Sequence, residues 1–315
     1  MKSVATSVGA TLIVAGLVFG AGGAGCAMDA NGEDVGSASE ALTIQDYVDS
    51  TGRIFIRVKT CDWSPSSQHP AAVCTVDPGY VLVGGGAEVE GQANGGGLLT
   101  KSFPINKATW FASSKDHVSA WSHRIRAYAV GMQLFGLSST TLSNLVTINS
   151  ATSGASHAPS VSVAIPAFNV LLSGGAASNA SGEGQLLTGS FPATDTSWTA
   201  SAKDHQRSDV ATVSAFAMSI PICLNNQWTN CLFTTINSAS TSVPTGYGLA
   251  TVNTPAGFAP VGVGGRARWS TSGRLLTDIF PTNSVGGKGA TAFSKDHNVA
   301  EGNTTDVWAL SVQSF

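Results

Sequence analysis

Val83-Gly84-Gly85-Gly86-Ala87, Leu98-Leu99-Thr100, Phe103-Pro104, Trp110, Lys115-Asp116-His117 and Ala127-Tyr128-Ala129 follow one another in this order, and the order returns twice more. The second copy runs Ser173-Gly174-Gly175-Ala176, Leu186-Leu187-Thr188, Phe191-Pro192, Trp198, Lys203-Asp204-His205 and Ala215-Phe216-Ala217. In the third, Val263-Gly264-Gly265, Leu275-Leu276-Thr277, Phe280-Pro281, Lys295-Asp296-His297 and Trp308-Ala309-Leu310 keep the sequence of motifs, with Ala290 in place of tryptophan. A pattern recurring at a period of about 89 residues marks a triplicated unit. Its copies cover about 53–132, 133–220 and 221–315 of the chain.

Each copy reads as β structure. Tyr80 to Val83, Leu98 to Phe103, Thr109 to Ser114 and His123 to Val130 are short, partly β-branched or aromatic, and bounded by Gly, Pro, Asn and Ser. No long window carries a helical period. The links add strand signals of their own, such as Leu145 to Ser150 and its echo Thr234 to Ser238, which makes five or six strands per copy. No single such sheet buries its apolar face alone, so the expectation is an all-β body of three sheets around a pseudo-threefold axis. This arrangement resembles the β-prism domains, a fold shared by several lectins and by eggshell-membrane proteins, over roughly residues 53–315. A β-trefoil, with shorter repeats, is the alternative. The resemblance rests on repeat number, strand count and glycine-rich turns, and not on a sugar-site motif.

Composition excludes several classes. Of 315 residues 43% are hydrophobic and 11% charged, with a net charge of −3, so the chain holds a core and is not disordered. Its 36 glycines have no collagen period, and its 16 basic residues form no run that would attract nucleic acid.

The N-terminus has Lys2, an apolar stretch from Val8 to Phe19 and a small-residue run from Gly20 to Gly25, the pattern of a signal peptide over residues 1–27. Gly23-Ala24-Gly25-Cys26 resembles the lipobox of exported bacterial lipoproteins, departing from it at Gly23, where an aliphatic residue is usual. The resemblance implies acylation at Cys26 and an envelope-anchored protein. Cleavage after Ala27, giving a secreted one, is the alternative. Residues 28–52 are expected to be an acidic, small-residue tether, with membrane contact only through the anchor. Apart from Cys26, four cysteines remain. Export and sequence proximity favour Cys61 with Cys74 and Cys223 with Cys231 among three possible pairings, and their spacings do not suit zinc.

The Lys-Asp-His triplet is the charged motif shared by all copies. One reading is structural: the Asp carboxylate accepts backbone N–H groups in an Asx-type turn while Lys pairs locally. A second makes Lys115, Asp116, His117, Lys203, Asp204, His205, Lys295, Asp296 and His297 a set of glycan sites, with Trp110 or Trp198 as a stacking platform. A third has the three histidines converge on one catalytic zinc. The glycine pairs read as bends or close approaches near the axis, and the Phe-Pro pairs as core aromatics at strand ends. No nucleophile, zinc-protease or phosphate-loop motif is present, which lowers the weight of an enzyme without closing it. No catalytic residue and no cofactor is assigned. The expectation is a cell-surface or secreted non-enzymatic binding or adhesion module with a glycan partner. Its rivals are a metal-dependent hydrolase and a structural envelope protein.

Overall fold

Short apolar runs punctuated by turn residues fold, among the described residues, as nineteen strands. The computed structural model describes residues 43–91, 97–224, 231–271, 273–284 and 287–315. The signal segment, Cys26 and the first part of the expected tether lie outside the described residues.

The first copy holds β1 (Thr43–Val48), β2 (Ile54–Thr60), β3 (Ala71–Thr75), β4 (Val81–Val89), β5 (Leu98–Pro104), β6 (Thr109–Lys115) and β7 (Ile125–Leu134). The second holds α1 (Ser139–Leu145), β8 (Thr147–Thr152), β9 (Ser160–Ala164), β10 (Asn169–Ser178), β11 (Leu186–Thr194), β12 (Ser197–Lys203) and β13 (Val213–Pro221). The third holds β14 (Leu232–Val243), β15 (Tyr247–Asn253), β16 (Ala259–Ala267), β17 (Arg274–Ser284), β18 (Gly287–Asp296) and β19 (Asn303–Ser314). They form three antiparallel sheets in the orders β1-β2-β7-β4-β17-β18-β15, β3-β6-β5-β10-β13-β8 and β14-β19-β16-β11-β12-β9. The fold is all-β, triplicated and β-prism-like.

No sheet belongs to one copy. Two of them join three strands of one copy to three of the next, and the third joins four strands of the first copy to three of the third, at the seams β5 with β10, β11 with β16, and β17 with β4. The last seam pairs the third copy with the first and closes the ring. Across each seam an aromatic of the Phe-Pro motif stacks on its neighbour: Phe103 on Phe216, Phe191 on Trp308 and Phe280 on Tyr128, with centroids 4.8–5.4 Å apart. These phenylalanines are half-buried seam residues, not core, and β11 and β17 continue past Pro192 and Pro281. The prolines keep their ladder places because a strand residue whose N–H points away from its neighbour loses no bond.

Within the residues expected as tether, Thr43–Val48 form the strand β1. The polar edge strand β1 pairs with β2 through Thr43↔Thr60 to Val48↔Phe55. Asp49 fastens both ends of the body: it is buried and accepts from the Arg53, Ile54 and Ser314 N–H groups at 3.0 Å and from Thr51 Oγ1 at 2.6 Å. Burial opposes its ionisation, but these donors hold its carboxyl below the usual range. Glu40–Phe315 forms one compact unit, which contains the core and both expected disulfides, Cys61–Cys74 and Cys223–Cys231.

A bulge precedes each glycine pair, at Leu82/Gly84, Leu171/Ser173 and Pro260/Gly262, and fixes which positions correspond. Gly85-Gly86 and Gly174-Gly175 therefore match Val263-Gly264, one residue before the pair seen in the sequence. A Cβ on Gly86, Gly175 or Gly264 would overlap the Phe-Pro strand across the seam. A Cβ on Gly85 or Gly174 would overlap the Trp110 or Trp198 indole, and the third copy has Val263 with Ala290 at those places. Trp110 Nε1 donates to Ser102 Oγ at 3.0 Å and Trp198 Nε1 to Ser190 Oγ at 3.1 Å. Ile279 stands at the equivalent of those serines, where no indole needs an acceptor. The third copy thus refills the same core volume with different side chains.

Candidate functional site

The triplets lie where β6, β12 and β18 leave their sheets, and the three loops meet on the pseudo-threefold axis. The rings of His117, His205 and His297 form a triangle with centroids 5.2, 5.4 and 5.6 Å apart, all buried. Beneath them Leu98, Leu186 and Leu275, ladder partners of the three triplet lysines, form a closed apolar cluster.

Each imidazole is bound to the next copy. His117 Nε2 donates to the His205 carbonyl, His205 Nε2 to the His297 carbonyl at 2.6 Å, and His297 Nε2 to the His117 carbonyl at 2.6 Å. This closed ring of N–H···O=C bonds directs each Nε2 at a backbone oxygen. In that tautomer the nitrogen has no lone pair for a metal, and among the described residues no group of three His, Cys, Asp or Glu is arranged to hold one. The histidines converge as a zinc site would require, but their Nε2 atoms are used for closure, and His117 Nδ1 lies 3.0 Å from the Glu183 carbonyl oxygen. Burial, with Lys295 nearby, pushes His297 down to about 4, so it is neutral at pH 7, and burial lowers His117 in the same direction.

The acceptor carbonyls are presented by strained turns. Ser119 N–H bonds to the His117 carbonyl at 2.7 Å and Arg207 N–H to that of His205 at 2.6 Å, an i to i+2 turn about a left-handed residue. Val118, Gln206 and Asn298 occupy that position with φ of 66°, 55° and 57°. The aspartates shape the rest of each loop. Asp116 accepts from Trp121 N–H (3.0 Å), Asp204 from Asp209 N–H (3.3 Å) and Asp296 from Glu301 N–H (3.1 Å), always five residues on. The lysines reach across the copies instead of pairing locally: Lys115 Nζ donates to Gly182 O (3.2 Å), and Lys203 Nζ donates to Thr271 O (3.1 Å) while lying over the Trp269 ring. Lys203 and Lys295 are buried, which pushes both down to about 8.

The candidate stacking platforms are not at the surface. Trp110 and Trp198 are 1% and 0% exposed, sealed between sheets with the indole N–H satisfied, so neither offers a face to a ligand. The aromatics exposed beside the triplets are Trp121 and Trp269.

One open cleft of about 410 Å³ lies at the first triplet, between the first two copies. Lys115, Asp116 and His117 reach it from one side, Glu183 and Arg207 from the other, and His69 stands at its edge with Nε2 3.2 Å from Asp116 Oδ1. His69, Glu183 and Arg207 are mostly exposed, and the Arg207–Glu183 separation is a loose 3.9 Å. The cleft therefore presents donors and acceptors of both signs beside backbone groups of Ser119 and Gly182. Sequence reading missed Glu183 and Arg207, which have no repeated counterpart, and it missed His69, whose echo His157 meets the second triplet's aspartate in the same way, Nδ1 lying 2.7 Å from Asp204 Oδ2. It missed the residue five after each Asp because Trp121, Asp209 and Glu301 share only a backbone N–H. No family model matches the chain, and no curated protein matches it. The class the fold and site define is a triplicated β-prism-like protein whose repeated triplet closes its axis.

Proposed function

We propose that the protein is an exported, envelope-anchored, non-enzymatic binding module that takes a hydroxyl-rich ligand, a glycan, in the cleft between its first two copies. The observation that carries this reading is the cleft itself: about 410 Å³ lined by Lys115, Asp116, Glu183 and Arg207, with mixed charge suited to a neutral polyol. Two disulfides agree with an oxidising compartment, and Cys26 follows a lipobox-like run. The rigid axis holds the cleft walls in place, because three of its lining residues belong to the triplet.

Glycan arrays with the Glu40–Phe315 body test the reading, and paired Glu183→Ala and Arg207→Ala variants locate the site. Both side chains are exposed, so the fold is unaffected, and loss of at least tenfold in affinity is expected for the double variant. Absence of glycan binding, or binding indifferent to both substitutions, would overturn it. Mass spectrometry of the mature N-terminus tests acylation at Cys26 separately. A purely structural envelope role is favoured by the bonding of the histidines, and of Lys115 and Lys203, to the next copy; it predicts an empty array.

A further inference from the structure

The chain enters β4, β10 and β16 through three equivalent turns, Asp77–Tyr80, Pro166–Asn169 and Pro255–Phe258. Each is closed by the fourth N–H on the first carbonyl, at 3.1, 3.3 and 3.3 Å. The third residue is left-handed every time. In two copies it is glycine, Gly79 with φ of 88° and Gly257 with φ of 84°, but in the second copy it is Phe168, with φ of 62°. A side chain there is strained where glycine is not. Phe168 is also 83% exposed, so its ring gains little from packing within the body. A local rule broken without an internal gain points to a role outside the fold.

Phe168 belongs to an apolar end, opposite the histidine ring across strands of nine and ten residues, or about 30 Å. Ile222 N–H donates to the Phe168 carbonyl (2.8 Å), Leu232 N–H to that of Ile222 (2.6 Å), and Phe315 N–H to that of Cys231 (3.2 Å). Phe135 and Phe315 are 75% and 66% exposed there. Phe135 also borders an apolar cleft of about 430 Å³ with Leu137, Leu224 and Leu232, and the exposed Arg53 stands at its rim.

We infer that this end of the body rests on a lipid bilayer, with Phe135, Phe168 and Phe315 entering the interface. The inference rests on the envelope-anchored reading for how the body comes near a membrane. Between Cys26 and β1 lie residues 27–42, which extended span at most about 55 Å. That exceeds the roughly 30 Å along the strands between the histidine ring and the phenylalanine end, so a chain held at Cys26 can set its phenylalanine end on the surface. Phe135 and Phe168 stand on separate turns and Phe315 follows β19, so the three are not set on one flat strand, which suits insertion among headgroups more than a protein face. The anchor would supply one weak attachment and the phenylalanines a second, the combination stable membrane binding requires.

The test uses the Glu40–Phe315 body, which carries its own core and lacks Cys26, with vesicles of phosphatidylcholine and phosphatidylglycerol. Sedimentation with vesicles is expected for the wild type and weakened about tenfold by Phe168→Gly, while the unfolding midpoint of that variant is unchanged or higher. Phe135→Ser should weaken it further. No sedimentation of the wild-type body would overturn the proposal whatever the state of Cys26, whereas an unacylated N-terminus with vesicle binding intact would remove only the anchor. Self-association of the body in sedimentation velocity, lost in Phe168→Gly and without vesicle binding, would assign the face to a second copy and also overturn it.

Discussion

Moving the third copy's core into the first should leave the protein nearly as stable, although its parts are separately damaging. Trp110 is sealed against Gly85, with its N–H on Ser102. Trp110→Ala alone removes a buried indole and strands the serine hydroxyl, at a cost of about 3–5 kcal/mol. Gly85→Val alone drives a side chain into the indole and the Tyr128 carbonyl, at about 3 kcal/mol or more. If such effects added, a variant carrying both would lie at least about 6 kcal/mol below wild type. The third copy shows how the space is refilled: Val263, Gly265, Ile279 and Ala290 stand where the first copy has Gly85, Ala87, Ser102 and Trp110. A Cβ on Gly265 would press on Ile279 and Ala292, so the Ala87→Gly change is needed with Ser102→Ile. The quadruple variant Gly85→Val, Ala87→Gly, Ser102→Ile, Trp110→Ala is expected within about 1.5 kcal/mol of wild type. Urea unfolding of the Glu40–Phe315 body with disulfides intact measures each step. Additive losses would refute the correspondence between the copies.

Stability should also depend on the protonation of the axis. Burial holds His297 at about 4, below its ordinary 6.5, so the unfolded chain binds the proton more tightly. Its contribution is full above pH 6.5 and falls as pH drops through 4, by about 3 kcal/mol at about 1.36 kcal/mol per unit. Urea titrations from pH 7 to pH 4 should show this slope reduced in His297→Gln; an equal slope in both would exclude it. Glu301 accepts from the N–H groups of Ser270, Thr271, Gly273 and Arg274, two of them buried. Glu301→Ala should therefore cost about 3 kcal/mol or more, read as a lower urea midpoint at pH 7, and a change under about 0.5 kcal/mol would show the loop indifferent to it.

Repeat count, strand content and the disulfide pairing were legible because each is written in local spacing. The exchange of strands between copies was not, since the seam partners of β5 and β10 are set by three-dimensional closure and leave no periodic mark. The bulge before Gly84 hid the true correspondence, because an added strand residue shifts the ladder without altering motif order. Trp110 is a core residue and not a platform, and the alternation of its strand marks it as such. It shares a face with Ala112 and Ser114, all buried, while Phe111 and Ser113 face outward. Ser102 and Ser190, eight residues before each tryptophan, with Ile279 where the tryptophan is lost, were the available signal. The polar edge strand β1 read as tether because only Ile44, Tyr47 and Val48 carry apolar surface.

The three triplet histidines lock the axis through Nε2–H bonds to backbone carbonyls. Nitrogen-15 imidazole spectra of the folded body, recorded at pH 7 before and after an equivalent of zinc, test it directly. Protonated Nε2 on His117, His205 and His297, unchanged by zinc, is the expected result; three Nε2 atoms that are unprotonated, or that shift together on zinc addition, would contradict it.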